Sequence, residues 1–99
     1  MYVIVNTYDR GARATEISQE LWERHVPTML AMPDLLGTLA AESVEDGGSR
    51  GVSITLFDTI EAAQAYLDSG TRESLDDEAS FRTASDRRIY RVLNSTFKP

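Results

Sequence analysis

Residues 17–37, ISQELWERHVPTMLAMPDLLG, form the stretch around which the rest of the chain has to be fitted. On a helical wheel Ile17, Leu21, Trp22, His25, Val26, Met29 and Met32 share about half the circumference, and Glu20, Glu23, Arg24 and Pro27 take the other half. The spacing predicts one amphipathic helix from near Thr15 to Ala31, with Thr15 as N-cap and Glu16 well placed for the helix dipole. Pro27 lies on the polar face, where water can satisfy the carbonyl its ring frees, so a bend is expected and not a break. Met32-Pro33-Asp34 then stops the helix, because a residue before proline is pushed out of the α region. One apolar face therefore carries a histidine near its middle.

On the N-terminal side, Met1–Tyr8 (MYVIVNTY) is rich in β-branched and aromatic residues and ends at the turn residues Asp9-Arg10-Gly11. Tyr2 and Ile4 on one side and Val3 and Val5 on the other are all apolar, the pattern of a strand covered on both faces. Asn6 interrupts the side of Tyr2 and Ile4; if that side faces the helices, Asn6 points at the histidine-bearing helix. On the C-terminal side, Leu35–Val44 and Arg50–Phe57 read as two strands joined by a hairpin at Glu45-Asp46-Gly47-Gly48-Ser49. Asp58-Thr59-Ile60-Glu61 has capping-box spacing, with Asp58 as N-cap of a second helix that turns Ile60, Ala63, Tyr66 and Leu67 inward and ends at Ser69-Gly70. The charged segment 71–87 reads as a short helix and an irregular run anchored by Leu75, Ala79 and Phe81, with Arg88–Phe97 as the last strand.

Ninety-nine residues suffice for one domain, and such a chain buries only about 60 to 65% of its unfolded surface, so association would help it. The net charge of −6 without a basic cluster speaks against nucleic acid, whose affinity comes from Lys and Arg neutralising phosphates. With no cysteine and one histidine, disulfides, thiolate metal sites and histidine-rich metal centres are not expected. No stretch has the pattern of a signal peptide or the length of a membrane span, which makes a cytoplasmic protein with no membrane partner the default expectation.

The order strand, helix, strand, strand, helix, strand fits an α+β fold: a ferredoxin-like split βαβ unit, with a four-stranded antiparallel sheet and both helices on one face. The other face, with Val3, Val5 and apolar residues of the third and fourth strands, would be a sheet-sized apolar patch, which pairing across a two-fold axis buries. At this point the chain resembles the dimeric α+β barrel superfamily, and within it the antibiotic-biosynthesis-monooxygenase-like proteins. The resemblance rests on YVIVNTY, on Pro33-Asp34-Leu35-Leu36-Gly37, similar to the family's Pro-Gly-aromatic turn into the second strand, and on residues 57–69, FDTIEAAQAYLDS. Asp34 stands where the family has glycine, and Leu36 near its aromatic. A homodimeric α+β barrel is what the resemblance implies.

Five residues are candidates for a site. His25 can accept a proton from an acidic phenol or enol, or it is a core histidine bonded to a carbonyl or water. Asn6 can orient an oxygen or stabilise a developing anion, or it makes a local bond near the strand end. Tyr66 and Trp22 are either the walls of an apolar pocket or plain packing. Arg91 either meets a substrate anion or forms an ion pair at the surface or a dimer interface. Haem-degrading members of the superfamily carry a first-strand asparagine that Asn6 resembles, but also a tryptophan and a histidine where this chain has Tyr66 and, roughly, Asp76, so no axial haem ligand is implied. The resemblance implies cofactor-independent monooxygenation of a small aromatic phenol or hydroquinone, with His25 as base, Asn6 on the oxyanion, Tyr66 and Trp22 as walls, and neither metal nor flavin. A non-catalytic homodimer that binds a small apolar or aromatic molecule is the alternative, as is isomerase or lyase chemistry on the same scaffold.

Overall fold

The computed structural model describes residues 1–10, 14–68 and 82–98. Its elements run β1 (Tyr2–Arg10), α1 (Ala14–Leu30), β2 (Leu35–Glu42), β3 (Arg50–Phe57), α2 (Ile60–Asp68) and β4 (Arg82–Arg91). The strands form one antiparallel sheet in the order β2-β3-β1-β4, so the two strands most apolar on both faces, β1 and β3, are central. This is the expected ferredoxin-like α+β arrangement.

Alternation along the strands decides which face meets the helices. Ile4, Asn6 and Tyr8 are buried in β1, and their antiparallel partners Thr55, Ser53 and Gly51 lie on the same face of β3. α2 covers the end of this face nearest Tyr2: Ile4, Phe57 and Ala63 are the buried centre, with Tyr2, Leu35, Ala62, Tyr66, Leu67 and Ile89 packed around them. α1 turns Trp22, His25, Val26 and Met29 away from solvent, and Glu20, Glu23, Arg24 and Pro27 are exposed, as the wheel predicts. The helix carries on past Pro27, whose carbonyl accepts from Ala31 N at 3.2 Å. It ends before Asp34, whose φ of 61° is the left-handed conformation that glycine adopts more easily.

Several boundaries differ from those expected. Strand β1 runs on through Asp9 and Arg10, where the sequence predicts a turn, because Asp9 pairs with Arg50 and Arg10 N donates to Ser49 O at 2.9 Å. Helix α1 starts at Ala14, which puts Thr15 inside the first turn and not before it. Helix α2 is capped by Thr59, whose Oγ1 accepts from Ala62 N at 3.1 Å, and not by Asp58. The reason is that Asp58 N already donates to Asp34 O at 2.8 Å, which keeps Asp58 in line with β3 and delays the helix by one residue. Strand β2 stops at Glu42, because Ser43 N donates to Arg50 O and its hydroxyl bonds Asp46, closing the hairpin. Strand β4 spans Arg82–Arg91, so residues 82–87 are strand where an irregular run was expected, and beyond Arg91 only Val92 N, bonded to Met1 O at 3.0 Å, extends the pairing. β4 is an edge strand with a single ladder, where charged side chains are tolerated on both faces, and apolar alternation is a poor guide to it. The expected ending of α2 at Ser69-Gly70 and the short helix after residue 71 fall outside the described residues.

Candidate functional site

The side chains on the helix-facing side of the sheet shrink along β3 from Phe57 through Thr55 and Ser53 to Gly51. Register makes each of these part of a rung: Tyr2, Phe57 and Leu35; Ile4, Thr55 and Thr38; Asn6, Ser53 and Ala40; Tyr8, Gly51 and Glu42. Successive rungs are roughly 7 Å apart along the strands. The first is filled by large apolar groups under α2, and the third and fourth are nearly bare between Asn6 or Tyr8 and β2. Helix α1 passes over that bare floor and leaves a cleft of about 400 Å³, lined by Tyr8, Arg10, Gln19, Trp22, Thr38, Ala40 and Glu42, with Leu39 and Ala41 of the same strand. A site of roughly 300–1,000 Å³ suits a small organic ligand.

Close fitting holds the cleft walls. A Cβ added to Gly51 would lie 2.3 Å from Tyr8 Cε2 and 2.9 Å from Arg10 Cδ, so the tyrosine ring and the arginine stem both rest on the bare glycine. Arg10 Nη1 donates to Gly48 O at 3.1 Å and forms an ion pair with Glu42, tying the end of β1 to β2 and to the hairpin. Thr38 and Thr55 share a hydroxyl hydrogen bond of 3.2 Å across the floor. The hairpin below is held by Asp46, whose carboxyl lies below the ordinary aspartate range because the Ser43 hydroxyl and then Ser49 donate to it. Among the described residues no three His, Asp or Glu side chains gather in a way that could hold a metal ion.

The candidates from the sequence separate. Trp22 lines the cleft. His25 is half-buried one turn further along the same face of α1. Asn6, 3% exposed, lies on the rung of Ala40, roughly 10 Å from it across Ser53, and its Oδ1 is buried with no hydrogen-bond partner among the described residues. An acceptor left in that condition costs about 1–3 kcal/mol. Tyr66 instead packs on Phe57, ring centroids 5.6 Å apart at 38°, inside the α2 core. Arg91 is exposed on β4 opposite Tyr2, at the far end of the sheet from the cleft; the arginine opposite Asn6 is Arg87. Tyr8, Arg10, Thr38 and Glu42 line the cleft but are not among the five candidates from the sequence. Their signal in the sequence is the taper G-x-S-x-T-x-F over residues 51–57, which locates a hollow once the inward face of β3 is known.

No family model and no curated protein sequence matches the chain. Solved structures do. SnoaB of Streptomyces nogalater, a cofactor-independent oxygenase crystallised as a point mutant, superposes with a TM-score of 0.78 at 12% identity, covering 95% of this chain and 94% of its own. A candidate antibiotic biosynthesis monooxygenase from Nitrosomonas europaea gives 0.76 at 20% identity over 95% and 100%. This chain has the fold of the antibiotic-biosynthesis-monooxygenase-like proteins. The same fold is seen in MhuD, solved with two manganese protoporphyrin IX molecules per active site (TM-score 0.78, 18% identity, 99% and 100% covered). A cofactor-independent oxygenase and a protein that holds a metalloporphyrin share the scaffold, so activity has to be argued from the cleft.

Proposed function

We propose that the protein is a homodimeric, cofactor-independent monooxygenase of a small polycyclic phenol or hydroquinone, bound between α1 and the sheet. The observation that carries this reading is a cleft walled by Trp22 and Tyr8, with Asn6 one rung further along β1, outside the lining, its buried Oδ1 without a hydrogen-bond partner among the described residues. A phenol hydroxyl supplies the donor that this oxygen lacks, and the amide N–H groups of Asn6 are of the kind that stabilises the oxygen once it becomes anionic. Arg87 faces Asn6 across the β1–β4 ladder and favours the anion. His25, on the inner face of α1, takes the proton. The electron-rich anion then reacts with dioxygen: one oxygen atom bonds to a ring carbon to give the quinone, and the other leaves as water with the two hydrogens the phenol has lost.

Homodimerisation is part of this reading. On the face away from the helices, Val3, Val5, Val52, Ile54 and Leu56 form an apolar field, and Leu39 and Tyr90 at its margins are 45% and 49% exposed. A second copy across a two-fold axis covers it.

A second reading, a binding protein without catalysis, is favoured by two facts: neither His25 nor Asn6 is among the residues that line the cleft, and the carboxylate that does line it, Glu42, is paired with Arg10. Oxygen uptake with 1,5-dihydroxynaphthalene, followed by mass spectrometry of the product, separates the two. Wild type is expected to consume oxygen, with His25→Ala slowed by about 10²-fold or more while probe binding is retained. Binding without turnover in wild type supports the second reading, and an unchanged rate in His25→Ala removes His25 as the base.

A further inference from the structure

The ion pair in the cleft joins two unequal partners. The Arg10 side chain is 6% exposed, and that of Glu42 is 48% exposed. Arg10 is fixed along its whole length: the stem lies on Gly51 against Tyr8, and Nη1 donates to Gly48 O. Glu42 is the last residue of β2, an edge strand, and its half-exposed carboxylate reaches solvent.

We propose that Arg10 is the recognition point for a carboxylate carried by an aromatic ligand, and that Glu42 holds this place only until such a ligand arrives. The proposal rests on the reading of the cleft as the ligand site and adds a substrate class to it: a planar arene carboxylate. A buried guanidinium must keep an anion beside it, because losing its partner leaves an uncompensated charge in a low-dielectric site. Its planar fork suits a carboxylate in two-point contact, which an incoming ligand can supply as well as Glu42 does. Trp22 and Tyr8 supply aromatic surface for the ring, and Thr38 and Ala40 the floor beneath it. The overall charge of −6 repels anions at long range, so selection for one has to come from a cation held at the site, and Arg10 is held there. A neutral arene leaves the Arg10–Glu42 pair in place and gains only the walls.

The test is a titration of the full chain with anthraquinone-2-carboxylate and with anthraquinone-2-carboxamide, read by quenching of Trp22, the single tryptophan. The carboxylate is expected to bind about tenfold tighter than the carboxamide. Arg10→Gln abolishes that preference, the ratio of the two affinities falling to about one. Glu42→Gln, which removes the competing carboxylate, tightens the carboxylate several-fold and widens its preference over the carboxamide. Equal affinity of the two probes for wild type, or a preference that survives Arg10→Gln, overturns the proposal and leaves the cleft as a ligand site. Failure of both probes to quench Trp22 overturns the proposal and the reading of the cleft together. Should Arg10→Gln lose its far-ultraviolet dichroism, Glu42→Gln decides alone, and carboxylate binding no tighter than wild type counts against the proposal.

Discussion

The two ends of the helix-facing side of the sheet are built in opposite ways. Under α2, Phe57 is 1% exposed and Ala63 0%, and every neighbour on the rung of Tyr2, Phe57 and Leu35 is large enough to reach the helix. Under α1, the rungs of Ser53 and Gly51 place almost nothing above the backbone, and the polar groups that remain are a buried amide, a threonine pair and a held arginine. Both helices lie on one face of one sheet, so the difference does not come from topology. It comes from side-chain volume along β3, a four-step taper that assigns stability to one end and leaves the other hollow.

Four measurements break or sharpen this contrast. Phe57→Ala, which empties the centre of the packed end, is expected to lower stability by about 3–5 kcal/mol in urea unfolding. A loss under about 1 kcal/mol would mean that the α2 end is not the core. At the other end, Gly51→Ala forces the Tyr8 ring and the Arg10 stem to move; its expected cost is about 1–3 kcal/mol, together with a loss of aromatic probe binding by Trp22 quenching. Asn6→Leu is informative because its two effects have opposite sign. Removing a buried polar atom that has no partner among the described residues is expected to leave stability unchanged or raise it by about 1 kcal/mol, while oxygen uptake and phenol binding fall. If Asn6→Leu instead destabilises the chain strongly, the amide is structural. The smallest effect is at the hairpin. Asp46 is held below the ordinary aspartate range, so its contribution is present above that range and is lost as the pH falls through the lowered value. Titration of its carboxyl by nuclear magnetic resonance is expected to show this, with Ser43→Ala moving the value upward.

Alternation was enough to read β1, β3 and both helices from the sequence, because each has one strongly apolar face and a clear stop. It failed at β4, where Asp86, Arg87 and Arg88 occupy an edge strand that needs no apolar face. It misplaced the cap of α2 by one residue, because the hydrogen bond that holds Asp58 comes from Asp34, distant in sequence. Trp22 was legible as a wall residue from the helical wheel alone. Arg10 was not: a charged residue after a strand reads as the start of a turn, and only the pairing of β1 with Gly51 and Glu42 across the sheet turns it inward. Tyr66 shows the converse, since inward orientation on α2 leads to the packed end and not to the cleft.

The most direct test follows methyl resonances during titration with 1,5-dihydroxynaphthalene, since methyl groups mark both ends of the sheet face. Thr38 and Ala40 are expected to shift with saturation, while Ile4 and Ala63 stay in place. Shifts centred on Ile4 and Ala63, or none at Thr38 and Ala40, would contradict the division of the sheet face into a packed end and a ligand-binding end.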